Sequence, residues 1–217
     1  MNALALNEIV ADYGTQRVLG PLSITLARGE RVALVGRSGT GKSTLLGVMH
    51  QHWHRQGVAL MPQELGLVPS LSVFHNVFMG RLARQPTWYN LASLVRPFRH
   101  DVAAIRPLLE RLGIDDKCWT ATGELSGGQR QRVAAARALY QQGDLLLADE
   151  PVSALDGPLS EVVMTALTQA YPTAVLAMHD VELALRFTER VIGIADGAIV
   201  IDAPSRTLRA QDLLVLY

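Results

Sequence analysis

One cysteine, Cys118, is all that 217 residues supply. That excludes an internal disulfide and a multi-cysteine metal site, and it fits a reducing compartment, so a cytosolic home is the expectation. No run of about 18 uninterrupted apolar residues occurs, and the opening "MNALALNEIV" has no basic segment leading into an apolar one. A chain that neither enters nor crosses a membrane by itself is expected. Charge of one sign is missing too: Lys+Arg and Asp+Glu both total 20. With no basic field to hold nucleic acid or acidic lipid by electrostatics alone, no nucleic-acid partner is expected. Internal repeats, low-complexity tracts and linkers are also missing, and the length suits one medium-sized domain with a real core.

What is present is apolar. Hydrophobic residues make up 49% of the chain against 18% charged, a balance that favours a surface covered by a partner. "RVALVG" (31–36), "LLLAD" (145–149) and "AVLAMH" (174–179) are nearly all apolar, as central strands covered on both faces should be. Helical runs alternate with them, which reads as an α/β sheet. "LALNEIVADYG" and "LSITLARGE" read as antiparallel strands, and "RVIGIADGAIVID" as a hairpin turning at Asp196-Gly197. From about Val73 to Arg137 helical periods dominate, with Val102, Ile105, Leu109 and Leu112 on one face. This segment reads as a helical lobe inserted in the sheet domain, in which Pro107 must kink its helix or open the second half. The expected partition is 1–72 and 138–217 for the sheet-bearing core and 73–137 for the lobe.

"GRSGTGKS", Gly36 to Ser43, fits G-x-x-x-x-G-K-[ST] and lies between a strand and a helix, the context that pattern requires. Gly36, Gly39 and Gly41 let the backbone of Arg37, Ser38, Thr40 and Thr44 curl so that N–H groups converge on phosphate oxygens. Lys42 then reaches the β/γ-phosphates and the Ser43 hydroxyl serves Mg²⁺. Asp149, ending an apolar strand, suits the Mg²⁺ shell, and Glu150, one residue on, can take a proton from water. A second phosphate-like feature, "LSGGQRQR" (125–132), sets a serine and two glycines before a helix.

The phosphate cradle, "LSGGQ" and "LLLADEP" in this order resemble the ATP-binding subunits of ABC transporters, and the likeness covers essentially the whole chain. It implies a P-loop NTPase (RecA-like) core with an antiparallel β subdomain and an inserted α-helical subdomain. It implies ATP and Mg²⁺ as ligands. It also implies head-to-tail pairing with a second copy, in which Ser126, Gly127, Gly128 and Gln129 cap the ATP held by the other chain. An N-capped helix with Ser126 as cap would explain the serine but not both glycines. By the same resemblance Tyr13 stacks on adenine, Gln63 in "LMPQE" senses Mg²⁺ and the attacking water, and Asp156 in "SALD" crosses to the other subunit. His179 touches the γ-phosphate and orients Glu150. Transmembrane permease subunits, and through them a periplasmic or lipoprotein substrate-binding protein, are implied as partners, with the chain peripheral on the cytoplasmic face of the inner membrane.

"GLVPSLSVFHNVFMGRLARQPTW" (66–88) and the closing "LLVLY" are similar to the phosphonate-importer branch, so import of phosphonate or a related oxyanion is the expected function. ABC ATPases of lipoprotein or haem traffic or envelope remodelling, and a weakly hydrolysing nucleotide-gated module, are the alternatives. Arg81, Arg84, Trp88, Arg96 and Arg99 either border the socket for the permease or form a solvated basic face. One departure stands out: only "GVMHQHWHRQGVALMP" separates the cradle helix from Gln63, where the family fits a further strand and turn, so the β subdomain must be trimmed. His50, His52 and His54 alternate there, as metal ligands sharing a strand face or as solvated turn residues.

Overall fold

The computed structural model describes residues 3–13 and 16–217, apart from the side chains of Tyr13, Gln16 and Arg55. Two compact units share the chain: Met1–Gln63, Gly143–Pro151 and Tyr171–Tyr217 form one, Glu64–Gln142 and Val152–Ala170 the other.

In the first unit β1 (Leu4–Tyr13) and β2 (Gln16–Leu26) pair antiparallel. The larger sheet takes β3 (Arg31–Val35), β4 (Val58–Met61), β5 (Leu145–Asp149), β6 (Ala174–Ala177), β7 (Arg190–Ala195) and β8 (Ala198–Pro204) in the order β4-β5-β6-β3-β7-β8. Every neighbour is parallel except β8, which returns from β7 through Asp196 and Gly197, both at positive φ (47° and 73°), the backbone a tight hairpin turn requires. The three apolar runs named from sequence are buried along nearly their whole length, the signature of strands covered on both faces. Helix α1 (Lys42–Trp53) lies between the two sheets: its Leu45, Leu46, Met49 and Trp53 pack with Leu6, Ile9, Leu19 and Ile24 from the hairpin and with Val32, Leu34, Leu145 and Val175 from the sheet.

The antiparallel sheet has two strands among the described residues, as trimming predicts. The short segment after α1 nonetheless supplies β4, which pattern reading overlooked because four residues, "VALM", are too few to show a period. The three histidines occupy neither a strand nor an open turn. His50 and His52 belong to the end of α1 and His54 to the 3₁₀ turn that follows, with His52 Nδ1 on Val48 O (2.9 Å) and His54 Nδ1 on Gln51 O (2.7 Å). Helical spacing sends positions 50 and 52 to different faces, and no metal-binding group occurs among the described residues.

The second unit is helical: α2 (Val73–Phe78), α3 (Thr87–Val95), α4 (Arg99–Arg111), α5 (Gly127–Gln141) and α6 (Gly157–Ala170). Helix α7 (Val181–Phe187) belongs to the first unit. Ile105, Leu109 and Leu112 are fully buried, as their common face predicts. Helix α4 runs past Pro107 to Arg111 without opening. Pro107 and Ala103, whose carbonyl loses its partner, both sit on the exposed side, where water can take the freed acceptor. Buried Asp101 accepts from Tyr89 (2.5 Å) and Tyr140 (3.1 Å), fastening α3 and α5 to α4.

Candidate functional site

A parallel sheet delivers the C-terminal ends of its strands to one edge, and ligands of such sheets bind there. β3 ends into residues 36–41, β4 into Gln63, β5 into Glu150 and β6 into His179. Ser38, Gly39, Gly41, Lys42, Ser43, Thr44, Gln63, Glu150 and His179 accordingly line one cavity of about 270 Å³, with Val18 from β2.

The loop between β3 and α1 is built on glycine. Gly36, Gly39 and Gly41 adopt φ of 147°, 83° and 99°, where L side chains are strained. A Cβ on Gly36 would come within 2.2 Å of the backbone oxygen of Ile194, whereas one on Gly41 would meet Leu19 Cδ2, the end of a flexible side chain, at 2.4 Å, so Gly36 must be glycine for space as well as conformation. Lys42 Nζ folds back to donate to the carbonyls of Gly36 (2.6 Å) and Arg37 (2.9 Å). Burial lowers the pKa of this ammonium, against the opposing pull of Glu150 and Asp149.

Asp149 is buried, and burial pushes its carboxyl up; a hydrogen bond from the Ser43 hydroxyl opposes the shift, as does the charge of Lys42. Glu150 is held at φ 51°, a left-handed conformation uncommon outside glycine, with its N–H on Ala177 O at 2.9 Å. That turn of backbone separates the two adjacent carboxylates: Asp149 goes to Ser43, while Glu150 Oε1 lies 2.8 Å from His179 Nε2. A carboxylate paired with an imidazole can accept a proton and keep its orientation.

Arg37 and Thr40 line a second cavity of about 690 Å³ with Arg17, Val18, Ser38, Gly39, Asp196 and Gly197. Val18, which borders both cavities, carried no sequence signal. The side chain of Tyr13 lies outside the described residues.

Ser126, Gly127, Gly128, Gln129 and Asp156 belong to the second unit. Ser126 caps α5 in a reciprocal box: its Oγ accepts from Gln129 N (3.3 Å) and Gln129 Oε1 accepts from Ser126 N (2.9 Å). Gly128 is accounted for by packing, because a Cβ there would sit 2.8 Å from Ala154 O; a Cβ on Gly127 would touch Ala154 Cβ only at 3.8 Å. Asp156 caps α6 through Leu159 N at 3.1 Å. Gln131, unremarked in the sequence reading, donates to Ser153 Oγ (3.3 Å) and accepts from Ala154 N (2.7 Å), fixing the 153–154 stretch to α5.

The ABC transporter family model matches residues 19–56 and 49–153. A phosphonates import ATP-binding protein PhnC of Pseudomonas putida is 39% identical over 94% of this chain and 86% of its own length. The chain belongs to the ABC transporter family. It is an ATP-hydrolysing cassette subunit of that family. A second PhnC relative, from Anaeromyxobacter dehalogenans, is 36% identical over 99% of this chain, which spans only 48% of that protein. Among solved structures, the dimeric form of the bacterial ABC transporter cassette MJ0796 matches at TM-score 0.78 and 25% identity, covering 93% of this chain and 98% of that one. The alignment to the P. putida protein extends over 233 positions while covering 94% of the 217 residues here, so this ABC cassette carries gaps in it. The family model itself matches in two pieces that overlap at residues 49–56, inside the shortened segment.

Proposed function

We propose that this cassette powers import of a phosphonate or a related small oxyanion. It works as a head-to-tail dimer on transmembrane permease subunits that receive cargo from a substrate-binding protein, at the cytoplasmic face of the membrane. The observation that carries the chemistry is the single cavity gathering Lys42, Ser43, Gln63, Glu150 and His179. The cargo class is supported by the likeness to importers named for phosphonates at 39% and 36% identity.

Hydrolysis of ATP follows from the side chains. Backbone N–H groups of the loop and the Lys42 ammonium hold the phosphates, Glu150 accepts a proton from the attacking water, and His179 orients Glu150 through their 2.8 Å contact. Ser43, Asp149 and Gln63 offer oxygen donors, with the Asp149 carboxylate accepting from the Ser43 hydroxyl and Ser43 and Gln63 lining the cavity, so the residues fit Mg²⁺. Bound there, the ion would neutralise charge on the β- and γ-phosphates.

Ser126 through Gln129 complete the site of the facing copy. Their capping box leaves the N–H groups at the start of α5 directed outward from a positive helix end, suited to a phosphate. Asp156 adds a contact across the same interface, and Tyr13 stacks on the base.

For the permease, support comes from α3. Trp88, Leu91 and Val95 are 67%, 62% and 87% exposed, an apolar stripe on a short helix that would cost solubility without a partner. The five basic-face residues divide. Arg81 donates to Tyr140 O with its guanidinium 4.3 Å from that ring, and Arg84 donates to Gln142 O, so both serve internal packing. Arg96 and Arg99 are exposed and flank the stripe. No helix among the described residues is long and apolar enough to cross a membrane.

The test is reconstitution with the permease and binding protein. Phosphonate delivered by the binding protein should stimulate ATP turnover; stimulation by a lipoprotein or haem substrate instead would replace this cargo assignment.

A further inference from the structure

The 3₁₀ segment Ala210–Leu216 enters the reading above only through its likeness to the importer branch. Leu213 and Leu216 are buried, and Leu216 sits over Gly193 of β7, where a Cβ would meet its Cδ1 at 2.8 Å. Asp212 Oδ2 accepts from Arg209 N at 2.8 Å and starts the turn. These anchors deliver Tyr217 to the catalytic edge of the sheet. Its hydroxyl donates to the His179 carbonyl at 3.3 Å.

The bond leads to a reacting group, since the His179 imidazole contacts Glu150. His179 itself lies in a bend between two fixed neighbours: Met178 N is bonded to Leu34 O at 3.0 Å, and Asp180 caps α7 through Leu183 N at 3.0 Å. The carbonyl of residue 179 is a further handle on that peptide.

We propose that Tyr217 is a positioning residue for ATP hydrolysis, its hydroxyl holding the His179 carbonyl and so fixing the imidazole against Glu150. The proposal rests on the roles given above to Glu150 and His179. Tyr217→Phe keeps the ring and removes the hydrogen bond.

Two measurements on the full chain decide it. In hydrogen exchange without nucleotide, Tyr217→Phe should speed exchange of the Asp180 amide, which shares a peptide with the His179 carbonyl, by roughly 3- to 10-fold. In steady-state kinetics it should lower kcat about 5-fold with the KM for ATP and the thermal midpoint unchanged, a split that loss of packing would not give. Val215→Ala, at an exposed neighbour, should match the parent in both. Unchanged exchange at Asp180 overturns the proposal, as does unchanged kcat in Tyr217→Phe while Glu150→Gln is inactive. Equal turnover in the parent and Glu150→Gln would sink the underlying reading and the proposal with it.

Discussion

The chemistry proposed for Glu150 depends on one uncommon backbone angle. Its φ of 51° turns the carboxylate away from Asp149 and toward His179. Glu150→Gln keeps size and polarity but removes the base, so ATP binding should persist while turnover falls roughly 10²–10⁴-fold; equilibrium nucleotide binding measured beside steady-state hydrolysis checks it. The glycines of the loop make separable demands. Gly39 has open space where a Cβ would go, so Gly39→Ala meets only its conformation and should cost about 1–2 kcal/mol. Gly36→Ala must also push back Ile194 O from 2.2 Å, and should be the more destabilising of the two in chemical denaturation. The pattern of three glycines was visible in the sequence; which of them is crowded was not, since Ile194 is more than 150 residues away in the chain.

Among elements, the join of β3 to β7 has its own electrostatic clamp. Glu189 accepts from the Arg31 N–H at 2.8 Å and from its guanidinium, while Glu189 N donates to Arg31 O at 2.9 Å. Burial alone would raise the Glu189 pKa, but the bonds to Arg31 outweigh it and the net shift is downward. A depressed carboxylate pKa stabilises the fold above the unfolded value and loses that contribution as pH falls through the folded value. Glu189→Gln should therefore lower stability at pH 7, by about 0.5–1 kcal/mol since the pair is partly exposed. The difference from the parent should shrink as pH falls below about 4.3, the unfolded value, and vanish only below the lowered folded value; urea melts down that range provide the check. On α3, Leu91→Glu should leave stability within about 0.5 kcal/mol and the isolated ATPase unchanged, yet abolish assembly with the permease. Element types followed from local pattern where runs were long, as in β3, β5 and α4. They failed where four residues made a strand or where alternating histidines lay in a helix.

For the whole molecule, the defining expectation is that one chain holds two unmatched half-sites. Ser126→Asp retains a capping oxygen, so α5 should stay folded, while its charge repels the facing phosphate. Paired Ser126→Asp subunits, like paired Lys42→Ala subunits, should be inactive. Mixed one to one, half of the dimers carry one intact centre, and turnover should return to about a quarter of the parent value in a two-fold assembly. No recovery on mixing would remove the paired-site account.

The residues from Gly36 to Ser43 were determined by the sequence itself, because a strand, a glycine-rich bend and a helix start are contiguous and their geometry is local. The same holds for the Ser126 cap and for the hairpin at Asp196-Gly197. Tertiary structure alone decided that Gln63, Glu150 and His179 meet Lys42, since only parallel pairing of β4, β5, β6 and β3 brings those strand ends to one edge. It also decided that Gly128 is needed against Ala154 O and that Tyr217 reaches His179. These contacts join segments distant along the chain, and no local periodicity encodes such a meeting.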